Sequence, residues 1–352
     1  MTMKKLGSIT MAMLLCASLA ACGSNADSVT ESEAPQSDAV ENNESAEAPT
    51  DSEPAESEAA AESGDKLLVG FSAGYSMVQH WELEMNGCQA AADEQGVEFI
   101  YKFADGDEAQ QVADIENMVE MGIDMLIVGP CNSEGIVPTV DELQNEKKIP
   151  VMTSDIGISG TEVTSHVASD NYQIGVMAAQ FVGQELEGKG KIAIVGWAAA
   201  SATKDREDGF VDTITKEFPD IEIVANQDVG GSRTTSLETS ENLIQSNGEI
   251  DLFFGCNAEC ALGAYSATQS VNRTDIKVVS VDSDNEVMEA ISGDTNLVAT
   301  VAQNPYEMGY QAMSNAIKYL NGETVENIAI DAQVVTKENV QEVIDRDQAW
   351  LK

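Results

Sequence analysis

The sequence predicts an α/β protein built of two similar lobes, each a doubly wound parallel sheet. Strand and helix patterns alternate from about residue 66 onward, and this order produces parallel sheets covered by helices on both faces. The strands are continuous Val, Ile and Leu runs, which is typical of strands buried on both faces. The pattern restarts near Asn171, so two rounds of it predict two lobes.

In the first round, apolar runs such as LLVGFS and DMLIVG predict strands, and the longer segments between them predict helices. The strands are expected at residues 67–72, 97–103, 124–129 and 150–154, with helices at 81–95, 108–121 and 134–147. A helix over 171–186 opens the second round. Its strands are expected at 191–196, 221–225, 251–255, 277–281 and 297–302, and its helices at 204–218, 235–247, 258–271 and 306–320.

The first 22 residues have the pattern of an export signal. Lys4 and Lys5 precede an apolar run over residues 6–19, and the sequence Leu-Ala-Ala-Cys ends at Cys22. Charge, a short apolar stretch and small residues are typical of a cleaved signal, and the run is shorter than the roughly 20 residues that span a bilayer. The ending resembles the bacterial lipoprotein signal, which implies a signal peptide at 1–21 and lipidation of Cys22; an ordinary secretory signal is the alternative. Either one places the folded part outside the cytoplasm.

Residues 23–65 form the second segment, which is predicted to be a disordered acidic tether. It contains thirteen acids, no base and almost no large apolar residue, so it cannot bury enough surface to offset its chain entropy. The whole chain has a formal net charge of −43. Without Lys4, Lys5 and the thirteen tether acids, the rest still carries −32, which argues against nucleic acid and anionic membrane surfaces as partners.

Four cysteines fall in the body, since Cys16 lies inside the predicted signal and Cys22 is the predicted lipidation site. Exported proteins often pair their cysteines. The sequence therefore leaves two states open for Cys256 and Cys260, a disulfide bond or free thiols. With only two histidines and no second cysteine pair at ligand spacing, no metal site is predicted. No cofactor is predicted either.

The residues that follow each strand indicate the function, because open parallel sheets bind ligands beyond the carboxyl ends of their strands. These positions carry carboxylates, amides and indoles with little cationic charge. Carboxylates and amides pair with hydroxyl groups, and flat aromatic rings cover the apolar face of a sugar. Asp155 and Asp282 would suit a neutral polyol or a cation and would repel an anion.

From residue 66 to the end, the chain resembles the extracytoplasmic sugar-binding proteins of ABC transporters, of the ribose-binding type. The resemblance rests on the order and spacing of several segments, above all SHVASDN at 165–171, then REDGF at 206–210, NAECALGA at 257–264 and ATVAQNP at 299–305. It implies a periplasmic-binding-protein type I fold with three crossings between the lobes, near residues 169–170, 303–304 and 331–332. The first lobe would comprise 66–169 and 304–331, and the second 170–303 and 332–352.

The resemblance also implies nine ligand contacts: Ser72, His80, Trp81, Asp155, Trp197, Lys204, Asn257, Asp282 and Gln303. Each has a plainer interpretation. Trp81 and Trp197 would then be packing residues, the two Asp residues helix caps or turn residues, and Lys204 an exposed helix residue.

The chain departs from the ribose-binding pattern at four places, so the resemblance implies the ligand class and not ribose itself. Ile156 replaces an Arg, Gly129 an Asn and Val281 an aromatic residue, and Lys204 stands where an Arg is usual.

These observations predict a monomeric lipoprotein on the outer face of the cytoplasmic membrane. It would capture a small neutral sugar or sugar-like polyol and deliver it to an ABC permease. The alternatives are a ligand sensor that docks on a chemoreceptor or sensor kinase, an inert surface protein, and a sugar-processing hydrolase. The sequence GFSAG around Ser72 matches the G-x-S-x-G nucleophile motif, but that mechanism needs a late His, and the last one is His166. We therefore expect no enzymatic activity.

Overall fold

The structure is a computed structural model that describes residues 66–74 and 79–351. The predicted signal peptide, Cys22 and the tether lie outside the described residues. Within the described part, no helix is long and apolar enough to cross a membrane.

The first sheet has six strands in the order β2-β1-β3-β4-β5-β11, and every pair is parallel. Its strands are β1 (Leu68–Ala73), β2 (Glu98–Phe103), β3 (Met125–Val128), β4 (Val151–Ser154), β5 (His166–Ser169) and β11 (Ile328–Ile330). The helices that accompany it are α1 (Gln79–Gln95), α2 (Glu108–Glu120), α3 (Val137–Glu142), which continues as a wider π turn to Lys147, and α9 (Pro305–Leu320).

The second sheet repeats this order as β7-β6-β8-β9-β10-β12, and only its last pair is antiparallel. Its strands are β6 (Lys189–Gly196), β7 (Asp220–Asp228), β8 (Leu252–Gly255), β9 (Lys277–Val281), β10 (Leu297–Ala302) and β12 (Gln333–Val335). The accompanying helices are α4 (Asn171–Glu185), α5 (Ser201–Glu217), α6 (Arg233–Ser246), α7 (Ala258–Ser270), α8 (Asn285–Ser292) and α10 (Val340–Trp350). The predicted fold of two parallel-sheet lobes is confirmed.

The chain passes between the two sheets three times. It leaves β5 at Ser169 and enters α4, which packs against β9 and β10. It returns after Ala302 into α9, which packs against β3, β4 and β5. It crosses again between β11 and β12. These passages fall where the sequence predicts crossings.

Two close helix crossings hold the helices that carry the polar residues of the cleft. A Cβ on Gly309 of α9 would lie 1.8 Å from the Glu84 carbonyl oxygen of α1. A Cβ on Gly175 of α4 would lie 2.0 Å from the Arg206 carbonyl oxygen of α5. Non-bonded atoms cannot approach so closely, so only glycine permits these contacts. Each crossing fixes one helix of the cleft against its lobe.

Candidate ligand-binding site

A cavity of about 60 Å³ lies between the two lobes, at the carboxyl ends of the strands. Both lobes contribute to its wall. The lining residues are His80, Trp81, Asp155 and Ile156 from the first lobe, and Trp197, Ala202, Thr203, Arg206, Gly231, Asn257, Ala258, Glu259 and Asp282 from the second. The structure thus brings together six of the nine predicted contacts.

Asp155 and Asp282 occupy equivalent places in the two lobes. Asp155 directly follows β4, Asp282 directly follows β9, and both strands stand fourth in their sheets. Both residues have a positive φ, 56° for Asp155 and 81° for Asp282. Such backbone conformations cost free energy in a non-glycine residue and cluster at ligand sites. The left-handed turn places each carboxylate at the end of its strand, facing the cavity.

Asp282 is held by neighbours in its own lobe. Gln303 Nε2 donates a hydrogen bond to Asp282 Oδ1 at 2.7 Å, and the Ala258 amide donates to Oδ2 at 3.1 Å. The Thr300 hydroxyl donates to the Asp282 carbonyl at 2.7 Å. The second bond is a helix-cap contact to α7, so Asp282 both lines the cavity and caps a helix.

Asp155 lies among charged groups that approach it without close hydrogen bonds. His80 Nε2 is 3.5 Å from Asp155 Oδ2, and Arg206 Nη2 of the other lobe is 3.8 Å from Asp155 Oδ1. His80 Nε2 and Asp155 Oδ1 are buried without a hydrogen-bond partner. Because a buried polar atom is costly until it is paired, these two atoms are suited to pair with a ligand's hydroxyl groups.

Arg206 is the cation of the second lobe that the sequence analysis overlooked. Its side chain is 2% exposed, Nε donates to Asn171 Oδ1 at 2.8 Å, and Nη1 donates to the Cys256 carbonyl at 3.1 Å. Nη1 also lies 3.5 Å from Asp282 Oδ1. Arg206 is the first residue of the REDGF segment, on which the family resemblance partly rests. That motif was the sequence signal that pointed to Arg206.

The structure corrects the placement of Lys204, which does not line the cavity. Its side chain is more than half exposed, and Nζ donates to both carboxylate oxygens of Asp208, at 2.9 and 2.7 Å. Residues two apart on a helix point in nearly opposite directions, so α5 cannot turn both Lys204 and Arg206 to the cleft.

Ser72 and Gln303 are also absent from the cavity wall. Ser72 is buried, and its hydroxyl accepts a long hydrogen bond of 3.4 Å from Gln111 Nε2. Gln303 acts on the site through Asp282. Asn257 does line the cavity, while its side-chain oxygen accepts a hydrogen bond from the Cys260 amide at the start of α7.

The two tryptophans cover the cavity from opposite lobes. Trp81 is 5% exposed and Trp197 is 9% exposed, and both belong to one apolar cluster that also includes Met308 and Ala202. A Cβ at Gly129 would lie 2.5 Å from Trp81 Cη2. The glycine at that position, one of the departures from the ribose-binding pattern, therefore makes room for the Trp81 ring.

Electrostatic shifts leave the cavity nearly balanced in charge. Burial would lower the pKa of His80, but the acids around it, above all Asp155, raise it to about 10. Burial would raise the pKa of Asp155, but His80 and Arg206 hold it below its usual value. Burial, reinforced by the charge of Asp155, raises the pKa of Glu84 to about 8. At neutral pH two cations thus face the carboxylates of Asp155 and Asp282, and Glu84 keeps its proton. Glu259, which also lines the cavity, is paired with Arg233 Nη2 at 2.7 Å.

The remaining reactive groups are engaged in packing. Cys88, Cys131, Cys256 and Cys260 are buried free thiols, which decides between the two states left open for Cys256 and Cys260. In residues 66–74 and 79–351, no cluster of three His, Cys, Asp or Glu side chains could hold a metal ion.

Two sheet-based lobes around a buried polar cavity define a class of protein that binds a small solute between its lobes. Comparison with known proteins then identifies the family. Residues 69–324 match the periplasmic binding protein domain, and the chain belongs to that family as a type I periplasmic sugar-binding protein. It is therefore an extracytoplasmic binding protein and not an enzyme.

Three of its relatives show the range of this class. The ribose import binding protein of Haemophilus influenzae is 34% identical over 254 residues, which is 72% of this chain and 85% of that protein. The xylitol-binding protein of Mycolicibacterium smegmatis is 25% identical over 289 residues, 81% of each. A solved ABC transporter solute binding protein from Bacillus halodurans with bound myo-inositol is 29% identical. It superposes with a TM-score of 0.74 over 82% of this chain and 99% of that one.

Proposed function

We propose that this chain captures a small neutral sugar or sugar-like polyol between its lobes and delivers it to the membrane permease of an ABC importer, acting as a monomer. The observation that supports this most is the pair Asp155 and Asp282, which face one cavity from opposite lobes. Their carboxylates accept hydrogen bonds from hydroxyl groups, and His80 and Arg206 offset their charge. An uncharged ligand is then favoured, because it leaves that balance intact.

The relatives support the ligand class. Two of them are named for ribose and xylitol, and the third has bound myo-inositol. These molecules all carry several hydroxyl groups on a ring or a carbon chain. Trp81 and Trp197 supply flat apolar surfaces that would cover the C–H faces of such a ligand.

A ligand panel combined with charge-neutral variants tests the proposal. D-ribose, xylitol, myo-inositol and other pentoses, hexoses and polyols would be screened by thermal shift, since a ligand at 100 times its Kd adds about 2.7 kcal/mol of stability. Hydrogen bonds to charged groups contribute about 1.5–3 kcal/mol, so Asp155→Asn and Asp282→Asn should each weaken binding about 10- to 200-fold by calorimetry. Asp208→Asn, which changes an exposed acid on α5, is the matched control. Unchanged affinity in both cleft variants would contradict the assignment.

We also propose that Cys22 carries the lipid anchor. The support is the Leu-Ala-Ala-Cys sequence that ends the predicted signal. Cys22→Ala should release the protein from the membrane fraction without changing its melting temperature. Retention of this variant in the membrane fraction after a high-salt wash would contradict the proposal.

A separate experiment distinguishes transport from sensing. In a transporter, the ligand-loaded protein should stimulate the ATPase of a reconstituted permease.

A further inference from the structure

Helices of the second lobe begin in two different ways. The amino ends of α4, α6 and α7 are capped by the side chain of their own N-cap residue, Asp170, Ser232 or Asn257. In the described residues, the N-cap positions of α5, α8 and α10, which are Ala200, Asp284 and Asn339, accept no such bond. The first amides of an α-helix have no partner within the helix, so α5 and α8 require an acceptor from elsewhere.

The first lobe provides that acceptor for both helices. Ser133 Oγ, in the loop after β3, accepts a hydrogen bond of 3.0 Å from the Ser201 amide of α5. Gln79 Oε1, at the start of α1, accepts one of 3.0 Å from the Asn285 amide of α8. Both bonds therefore cross the cleft between the lobes.

These two contacts flank the cavity. Ser201 is followed directly by Ala202 and Thr203, which line it, and Gln79 directly precedes His80. The α5 side is reinforced, because the Ser133 amide donates to the Ala199 carbonyl at 3.1 Å and the Ser201 hydroxyl donates to the Gly157 carbonyl at 3.1 Å.

We propose that Ser133 and Gln79 are positioning residues that close the protein by capping helices of the opposite lobe. With the lobes apart, α5 and α8 lose these acceptors; with the lobes together, both helices are completed. The free energy of each cap belongs to the shut form alone, so it shifts the open–shut equilibrium and sets the apparent affinity without a contact to the ligand. The consequence for affinity rests on the proposed ligand-binding function, whereas the closure itself is testable without a ligand.

Amide hydrogen exchange of the ligand-free full chain tests this. The amides of Ser201 and Asn285 should be protected in the native chain. Because the ligand-free chain samples both forms, this protection is partial. Ser133→Ala should speed exchange at Asn285 as well as at Ser201, and Gln79→Ala should speed exchange at Ser201 as well as at Asn285, each by up to about 30-fold, the upper end of the range that loss of a helix cap produces. The coupling across the cavity is the decisive measurement, because a bond with only a local role would affect its own helix alone.

Ser232→Ala is the matched control, since it removes a serine cap that lies within one lobe. It should speed exchange at Thr235 and leave Ser201 and Asn285 unchanged, while the Gln173 amide, capped by Asp170, serves as an internal reference. Deprotection confined to the altered side would overturn the proposal, and so would a native chain in which neither amide is protected.

Discussion

Glu84 lies on α1 one turn after His80, and its carboxylate is fully buried without a hydrogen-bond partner. His80 Nε2 is its nearest cation, at 3.9 Å from Oε2. A buried acid in this position either carries an unpaired charge, which costs free energy of folding, or holds its proton. The raised pKa of Glu84, about 8, indicates that it holds the proton at neutral pH.

This arrangement predicts that the protein loses stability in alkaline solution. The pKa of Glu84 is about 8 in the folded chain against a usual 4.5, and that of His80 is about 10 against 6.5. For both groups the folded state binds the proton more tightly, so their contribution to stability is lost as pH rises through the folded pKa. The melting temperature should fall between pH 6 and pH 9, and Glu84→Gln should make that fall shallower. Glu82→Gln, at an exposed position of the same helix, is the control; an unchanged pH slope in Glu84→Gln would refute the assignment.

At the scale of the elements, strong apolar patterns could be predicted and short segments could not. The runs at β3, β6 and β9 are continuous and apolar, so their positions follow from the sequence. The strands β11 and β12 have three residues each and owe their conformation to pairing with distant strands. The helix α8 has eight residues and begins with polar ones. Its apolar pattern is therefore too short to be recognised in the sequence.

The final helix shows a second reason for a missed element. Most residues of α10 are polar, and its position depends on tertiary contacts at the hinge. Trp350 stacks on Tyr306 of α9 with ring centroids 3.9 Å apart, while Asp347 accepts a hydrogen bond from Ser283 of the second lobe. Arg346 donates to the Gln303 carbonyl in the second crossing. The sequence places residues 332–352 in the second lobe, whereas α10 contacts helices of both lobes.

The candidate site could be predicted only in part, because some of its residues depend on how the helices pack. Residues directly after a strand, such as Asp155 and Asp282, follow from the rule that ligands bind at strand ends. The choice between Lys204 and Arg206 depends on the direction in which α5 faces, and a single sequence does not fix the rotation of a polar helix.

At the scale of the whole molecule, three crossings join two lobes that meet around the cavity. Trp197 of the second lobe packs in one apolar cluster with Trp81 and Met308, which belong to elements of the first lobe. Besides the crossings and α10, the contacts of Ser133 and Gln79 also join the two lobes. Three parallel connections permit bending and resist twisting, so the lobes should open and close as rigid bodies.

Ligand binding should therefore make the body more compact. A ligand that contacts Asp155 and Asp282 together binds only the shut form, so it must shift the population towards that form. Small-angle scattering should show a smaller radius of gyration when a ligand from the panel is added, and tryptophan fluorescence should change because Trp81 and Trp197 come together. A chain that lacks residues 23–65 should respond in the same way, because the segment is predicted to take no part in the fold. If a tightly bound ligand left the radius of this shortened protein unchanged, closure around the ligand would be refuted, since the long acidic segment could no longer mask the change.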